Sequence, residues 1–222
     1  MVNILLEGFD IDTPWLYEKL KNYIMPFHTV AVIAFSFRDE RVKSLSDWEA
    51  LYGEQNGKYY RGIVDGFSAY GISEDKINFV NYFADTKDSA AQKVKTADII
   101  YFLGGLPDRM MDRIKEFNLY DILIKHNGII MGYSAGAVIQ LAEYYLDPDE
   151  DYPVFGYYEG LPYLDSFYVQ VHYVGSEAQD AAITRVLAER EKVVYATAFK
   201  SGAIIAENGK VKLLGNVKVF TK

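Results

Sequence analysis

The 222-residue chain contains no cysteine. That excludes a disulfide framework, a thiolate metal site and a cysteine nucleophile, and it leaves the redox compartment unmarked. Basic residues are outnumbered, 23 Lys and Arg against 31 Asp and Glu, for a formal net charge of -8. No Lys/Arg cluster of the kind that tracks phosphates occurs, so no nucleic-acid partner is expected, and the acidity mainly favours solubility. No apolar run approaches the ~20 residues of a membrane-spanning helix. The start, M-V-N-I-L-L-E-G, has neither a charged leader nor a long apolar stretch, so no membrane partner is expected and a cytoplasmic location is the default. Internal repeats, low-complexity segments and Pro/Gly/Ser linkers are also missing. With 50% of residues hydrophobic, the chain reads as one large domain over residues 1–222.

What is present is an alternation of short apolar runs with longer amphipathic ones, the pattern of parallel strands joined by helices. Strands are expected at Val2 to Glu7, Val30 to Phe35, Ile77 to Tyr82, Asp98 to Leu103 and Gly128 to Gly132. Pro14 opens a helix in which Trp15, Leu16, Leu20 and Ile24 share a face, and Pro107 to Lys125 reads as another, stopped by Asn127-Gly128. Leu45 to Gly71 looks helical with a break at Gly53 and Gly57. Further on, Phe167 to Tyr173 reads as a strand and Glu177 to Glu189 as a helix. Val193 to Ala198, Gly202 to Ala206 and Val211 to Leu214 read as short strands, with Asn208-Gly209 a hairpin turn. The expected fold is α/β, a mostly parallel sheet with an antiparallel C-terminal edge.

The run G-I-I-M-G-Y-S-A-G-A-V, Gly128 to Val138, reads as strand, sharp turn and helix start. Gly132, Ser134 and Gly136 make the G-x-S-x-G pattern of a nucleophile elbow, in which small neighbours let a serine project from the sheet. The Ala135 N–H, at the helix start, is placed to meet a developing oxyanion. A hydrolytic serine needs a base, and the chain has only three histidines. His28 precedes the second strand and His126 ends a helix, where an imidazole meets terminal carbonyls. His172, at the end of Y-V-Q-V-H-Y, is the best base by elimination. The carboxylate that should orient it stays open among Asp147, Asp149, Glu150, Asp151, Glu159 and Asp165, all lying between serine and histidine. An EF-hand reading of that acidic loop fails, because Tyr152 and Tyr158 fall where the loop needs glycine and a bidentate glutamate; no metal or cofactor is expected. Leu103-Gly104-Gly105 closes the preceding strand and offers a second oxyanion donor.

The combination F-L-G-G-L-P, then G-Y-S-A-G-A, then a histidine some forty residues on resembles the peptidase E group of serine peptidases, which includes aspartyl dipeptidases and cyanophycinase-like enzymes. The resemblance spans most of the chain. It implies a three-layer fold like that of class I glutamine amidotransferases, with serine in place of their cysteine. It further implies Ser134 as nucleophile, His172 as general base, the Gly105 and Ala135 amides as oxyanion hole, a short peptide as substrate, and Asp151, before Tyr152-Pro153, as the triad acid, with Asp149 and Glu159 as alternatives. Two departures argue against aspartyl specificity: Leu106 stands where such members have asparagine after Gly-Gly, and Tyr145 stands where they have an arginine some eleven residues beyond the serine. Leu106, Tyr133 and Tyr145 are the candidate substrate contacts. Eight of the 19 tyrosines lie between Tyr144 and Tyr173, reading either as an aromatic substrate wall or as packing and a homodimer surface. Two other functions share these residues. One is an α/β-hydrolase esterase, disfavoured because about fifty residues follow His172; the other is a non-catalytic relative that binds a peptide or metabolite.

Overall fold

Strands that are buried on both faces carry nearly continuous apolar runs rather than alternation, and four mostly apolar strands with a half-exposed fifth at the edge build the parallel part of the sheet. In the computed structural model, which describes residues 1–222 except for the side chains of Phe199 and Lys200, these are β1 (Val2–Leu6), β2 (Val30–Ile33), β3 (Ile77–Val80), β4 (Ile99–Phe102) and β5 (Ile129–Tyr133). They pair in parallel, β1 on β5, β5 on β4, β4 on β2 and β2 on β3. Their carboxyl ends therefore share one edge, where open α/β sheets form their crevices.

The first face of the sheet is covered by α1 (Pro14–Leu20), α2 (Leu45–Tyr52) and α3 (Tyr60–Ser68). Leu16, Leu20, Trp48 and Phe67 pack there on Ile4, Val32, Tyr101 and Met131. Alternate residues of the same strands, Leu5, Ile33, Phe102 and Ile130, face α4 (Lys87–Thr96), α5 (Pro107–Glu116), α6 (Tyr120–Leu123) and α7 (Ala135–Val138). Three layers result, as expected. The expected helix over Pro107 to Lys125 is two helices. Asn118 takes a left-handed φ of 57°, Leu119 donates to the Ile114 carbonyl and Asn118 to that of Lys115, a Schellman stop that turns Leu119 and Leu123 into the core. The break at Gly53 and Gly57 is present, separating α2 from α3.

The last third departs more. A two-stranded antiparallel ribbon absent from the sequence reading, β6 (Glu143–Leu146) with β7 (Gly156–Glu159), carries the acidic loop at its tip. After it come β8 (Phe167–Tyr173), α8 (Glu177–Arg190), β9 (Val193–Glu207) and β10 (Lys210–Phe220). The first two of the three short strands expected after α8 are one, β9, and the third lies within β10. Its first half runs parallel to β8 and its second half antiparallel to β1, while β10 returns along it through the Asn208-Gly209 turn. β9 thus brings β8, late in the chain, beside the carboxyl end of the first strand. Among the described residues no helix is long and apolar enough to cross a membrane.

Candidate active site

Where β5 ends, the backbone turns at Ser134 with φ 52° and ψ -115°, a conformation L-residues adopt only under constraint. The constraint is visible. A Cβ on Gly132 would lie 2.3 Å from the Gly136 carbonyl oxygen, and one on Gly136 would lie 2.2 Å from that of Phe102, so both glycines are required for α7 to seat on β4 and β5. The Ser134 N–H donates to the Leu6 carbonyl at 3.0 Å, pinning the corner to the end of β1. Beyond it α7 spans four residues, too few for an appreciable macrodipole, so any anion stabilisation here rests on individual N–H groups. Among the described residues neither the Ala135 nor the Gly105 N–H donates to an acceptor in the chain.

His172 reaches Ser134 because β8 is irregular. Its register against β9 shifts between Gln170 and Tyr173, and His172 itself has φ 55°, a bulge that re-aims one side chain. Its Nε2 lies 2.8 Å from Ser134 Oγ. Its backbone is held on both sides, the N–H donating to Glu7 Oε2 at 2.9 Å and the carbonyl accepting from Gln179 Nε2 at 3.0 Å. Gln179 is fixed in turn by its capping box with Ser176 at the start of α8.

The other ring nitrogen of His172 meets Glu7, in a short contact between Nδ1 and Oε1. Glu7 follows the last residue of β1, and its side chain is 3% exposed. A carboxylate so deep needs donors; it has the His172 ring, the His172 N–H and the Thr197 hydroxyl, the last at 3.3 Å from β9.

Asp151, expected at His172, is not there. It forms a two-pronged ion pair with Arg38 at the tip of the β6–β7 ribbon. Asp149 accepts from the N–H groups of Asp151 and Tyr152, and Glu159 pairs with Lys115 at 3.0 Å. The loop's own N–H groups and nearby cations consume these acids. Of the expected substrate contacts, Tyr133 lines the cavity beside Ser134 and Leu106 and Tyr145 do not. The Leu106 N–H donates to the Ser36 carbonyl, seating that residue at the start of α5, and Tyr145 is buried between Phe155 and Tyr168. Of the two readings of the tyrosines from Tyr144 to Tyr173, the substrate wall fails, because none of them lines the cavity, and packing holds where Tyr144 stacks on Tyr158 and Tyr152 donates to Asp108. His28 and His126 precede β2 and β5 and so lie at the opposite edge of the sheet, both held below the usual imidazole range by burial.

The cavity at Ser134 has a volume of about 640 Å³. It is walled by the segment after β2 and by α2, and its rings are Phe9, Phe37, Tyr52, Tyr59 and Tyr133. Burial pushes the Tyr133 phenol up to about 12, so it is a neutral surface at ordinary pH. Of the charged groups in the lining, Glu7 is held by His172, Arg38 by Asp151 and Asp47 by the α2 cap. Asp10, Arg41 and Lys58 stand at the exposed rim.

The sequence model of peptidase family S51 matches residues 50–214. The chain belongs to peptidase family S51. Two solved structures share the fold of this S51 peptidase. One is a protein from Listeria monocytogenes EGD-e named provisionally as a peptidase E, with TM-score 0.66 and 16% identity over 97% of this chain and 98% of that one. The other is a peptidase from an acI-B1 Actinobacterium, with TM-score 0.62 and 16% identity over 99% of this chain and 89% of that one. No curated protein matches the sequence.

The S51 match begins after Glu7, so a likeness carried by Gly104-Gly105, Ser134 and His172 had no purchase on this residue. A signal was nevertheless present in V-N-I-L-L-E-G: a lone carboxylate at the carboxyl end of an apolar strand, followed by glycine. In this S51 peptidase Asp151→Asn is expected to change kcat/KM by less than about threefold, the scale of a partly exposed ion pair. Steady-state assay of the purified variant checks it, and a loss beyond about a hundredfold would restore Asp151 to the reacting groups.

Proposed function

We propose that this peptidase is a serine peptidase cleaving short peptides through an acyl-enzyme. The observation that carries the reading is the continuous hydrogen-bonded chain from Ser134 Oγ through the His172 ring to buried Glu7, opening on a cavity. Ser134 Oγ attacks the scissile carbonyl carbon as His172 Nε2 takes its proton; Glu7 holds the Nδ1–H tautomer and stabilises the imidazolium. The carbonyl oxygen becomes an oxyanion facing the Gly105 and Ala135 N–H groups, neither of which has an acceptor among the described residues. Collapse breaks the C–N bond, and His172 gives its proton to the departing amine. Water then repeats the sequence, with His172 as base, and releases the acid and Ser134.

A fluorophosphonate probe should label Ser134 in the wild-type protein, with the adduct mapped by peptide mass spectrometry. Absence of labelling at every pH from 6 to 9 sinks the reading and favours the non-catalytic, ligand-binding alternative. The aromatic lining and the burial of Tyr145 away from the cavity support substrates with an aromatic or large apolar residue beside the scissile bond. In a dipeptide panel, kcat/KM for Phe-X and Leu-X is expected to exceed that for Asp-X by about tenfold or more, the scale of burying an aromatic side chain. A preference for Asp-X would assign Arg41 or Lys58 to the substrate carboxylate instead.

A further inference from the structure

Ser36 lies just after β2, far from the reacting serine in the sequence, and is wholly buried, yet its hydroxyl is aimed at the Gly104-Gly105 loop. Its Oγ donates to the Gly104 carbonyl at 2.5 Å, and its own carbonyl accepts from the Leu106 N–H at 2.7 Å. The loop is thereby clamped at two successive peptides, Gly104–Gly105 through its carbonyl and Gly105–Leu106 through its N–H. Ser36 is itself held rigidly. Buried Arg113 donates to the carbonyls of both neighbours, Phe35 and Phe37, and stacks on the Phe37 ring 3.7 Å away.

In a trans peptide the C=O and the following N–H point to opposite sides. A Gly104 carbonyl tied to the Ser36 hydroxyl therefore turns the Gly105 N–H away from that hydroxyl, and Ser36, Gly104, Gly105 and Ser134 all line the one cavity. The alternative is close at hand. Glycine on both sides of the peptide removes the Cβ penalties that would oppose its rotation, and Gly105 already has φ 138°. Rotation would bring a carbonyl oxygen, not a donor, toward the oxyanion. Replacing Gly105 offers no other lock, because a Cβ there would lie 2.3 Å from the Ser36 carbonyl oxygen.

We propose that the Ser36 hydroxyl is the positioning group that fixes the facing of the Gly104–Gly105 peptide and so keeps the Gly105 N–H available as an oxyanion donor. The inference rests on the serine-peptidase reading, and it goes beyond it by assigning a role to a residue outside the Ser134–His172–Glu7 chain. Loss of a donor that is aimed at the transition state lowers kcat and leaves ground-state binding alone.

The test follows the rate of Ser134 phosphonylation by a fluorophosphonate, together with kcat and KM on the fastest dipeptide of the panel. Ser36→Ala is expected to slow both labelling and kcat by about 10- to 100-fold, below the 10²–10³ of deleting a donor outright, with KM within about twofold. Ser36→Thr, which keeps the hydroxyl, should recover labelling to within about threefold of wild type. Ser36→Cys, a weak donor that leaves no void, should be slowed in the same direction and serves if the alanine variant does not fold. Equal labelling rates for wild type, Ser36→Ala and Ser36→Cys overturn the proposal, as does a threonine variant as slow as alanine or a loss confined to KM. A wild type that is not labelled at all is the different failure, that of the serine reading itself.

Discussion

Glu7→Gln is expected to lower kcat by about 10³- to 10⁴-fold with little change in KM, the scale seen when the acid of such a triad loses its charge but keeps its shape. Glu7 meets His172 Nδ1 through Oε1 and the His172 N–H through Oε2. An amide keeps one acceptor oxygen and sets an NH₂ group in place of the other. If the oxygen keeps the backbone N–H, the NH₂ faces Nδ1 and selects the tautomer with its proton on Nε2. That proton then points at Ser134 Oγ, 2.8 Å away, and the ring can no longer accept the serine's proton. The imidazolium that forms during attack also loses its counter-charge. Fluorophosphonate labelling should fall in parallel, which separates this effect from any change in substrate binding. A Glu7→Gln protein that retains more than a tenth of wild-type kcat would remove Glu7 from the mechanism and return the search to the acids of the β6–β7 ribbon.

Ser134→Ala is expected to lose about 10⁶ in kcat, leaving the modest rate that binding and oxyanion stabilisation supply by themselves. Labelling should vanish, and residual turnover close to wild type would end the assignment. Ser134→Gly carries a second readout that needs no substrate. The native φ of 52° and ψ of -115° strain any side chain, at about 1–3 kcal/mol. Glycine relieves that strain and gives back about 0.5–1 kcal/mol through the freer unfolded chain. A net gain of about 1 kcal/mol, or roughly 2–4 °C in Tm for a chain of this size, is expected from an inactive protein. A lower Tm for Ser134→Gly than for Ser134→Ala would mean the corner is not strained.

Much of the sheet was legible because its signals are local. Each of the five parallel strands is an apolar run bounded by turn residues, and all five lie within the expected limits or one residue beyond them. The elbow was legible for the same reason: Gly132, Ser134 and Gly136 describe a turn that only close backbone packing demands. Asn118 was misread because a left-handed asparagine inside an amphipathic run leaves no periodic trace. The β6–β7 ribbon was missed because Tyr144, Tyr145, Tyr157 and Tyr158 read equally well as surface aromatics. Tyr144 and Tyr145 are buried and Tyr157 and Tyr158 half-buried because they stack on one another, on Phe155 and on Tyr168.

By itself the sequence determined the layered α/β fold, the serine at its corner, the Gly104-Gly105 loop beside it and, by scarcity, the histidine. Each of these depends on residue type and short spacing. Which carboxylate meets His172 depends on the tertiary structure. Glu7 and His172 meet because β9 pairs with β8 along its first half and with β1 along its second, placing Thr197 within hydrogen-bonding reach of the carboxylate. A lone carboxylate closing the first strand is visible in the sequence, but nothing local names the eighth strand as its partner. Asp151, which the family resemblance favoured, pairs with Arg38 instead, since a carboxylate near the surface pairs with the nearest cation, whereas a buried one must be built into the sheet with its donors already in place.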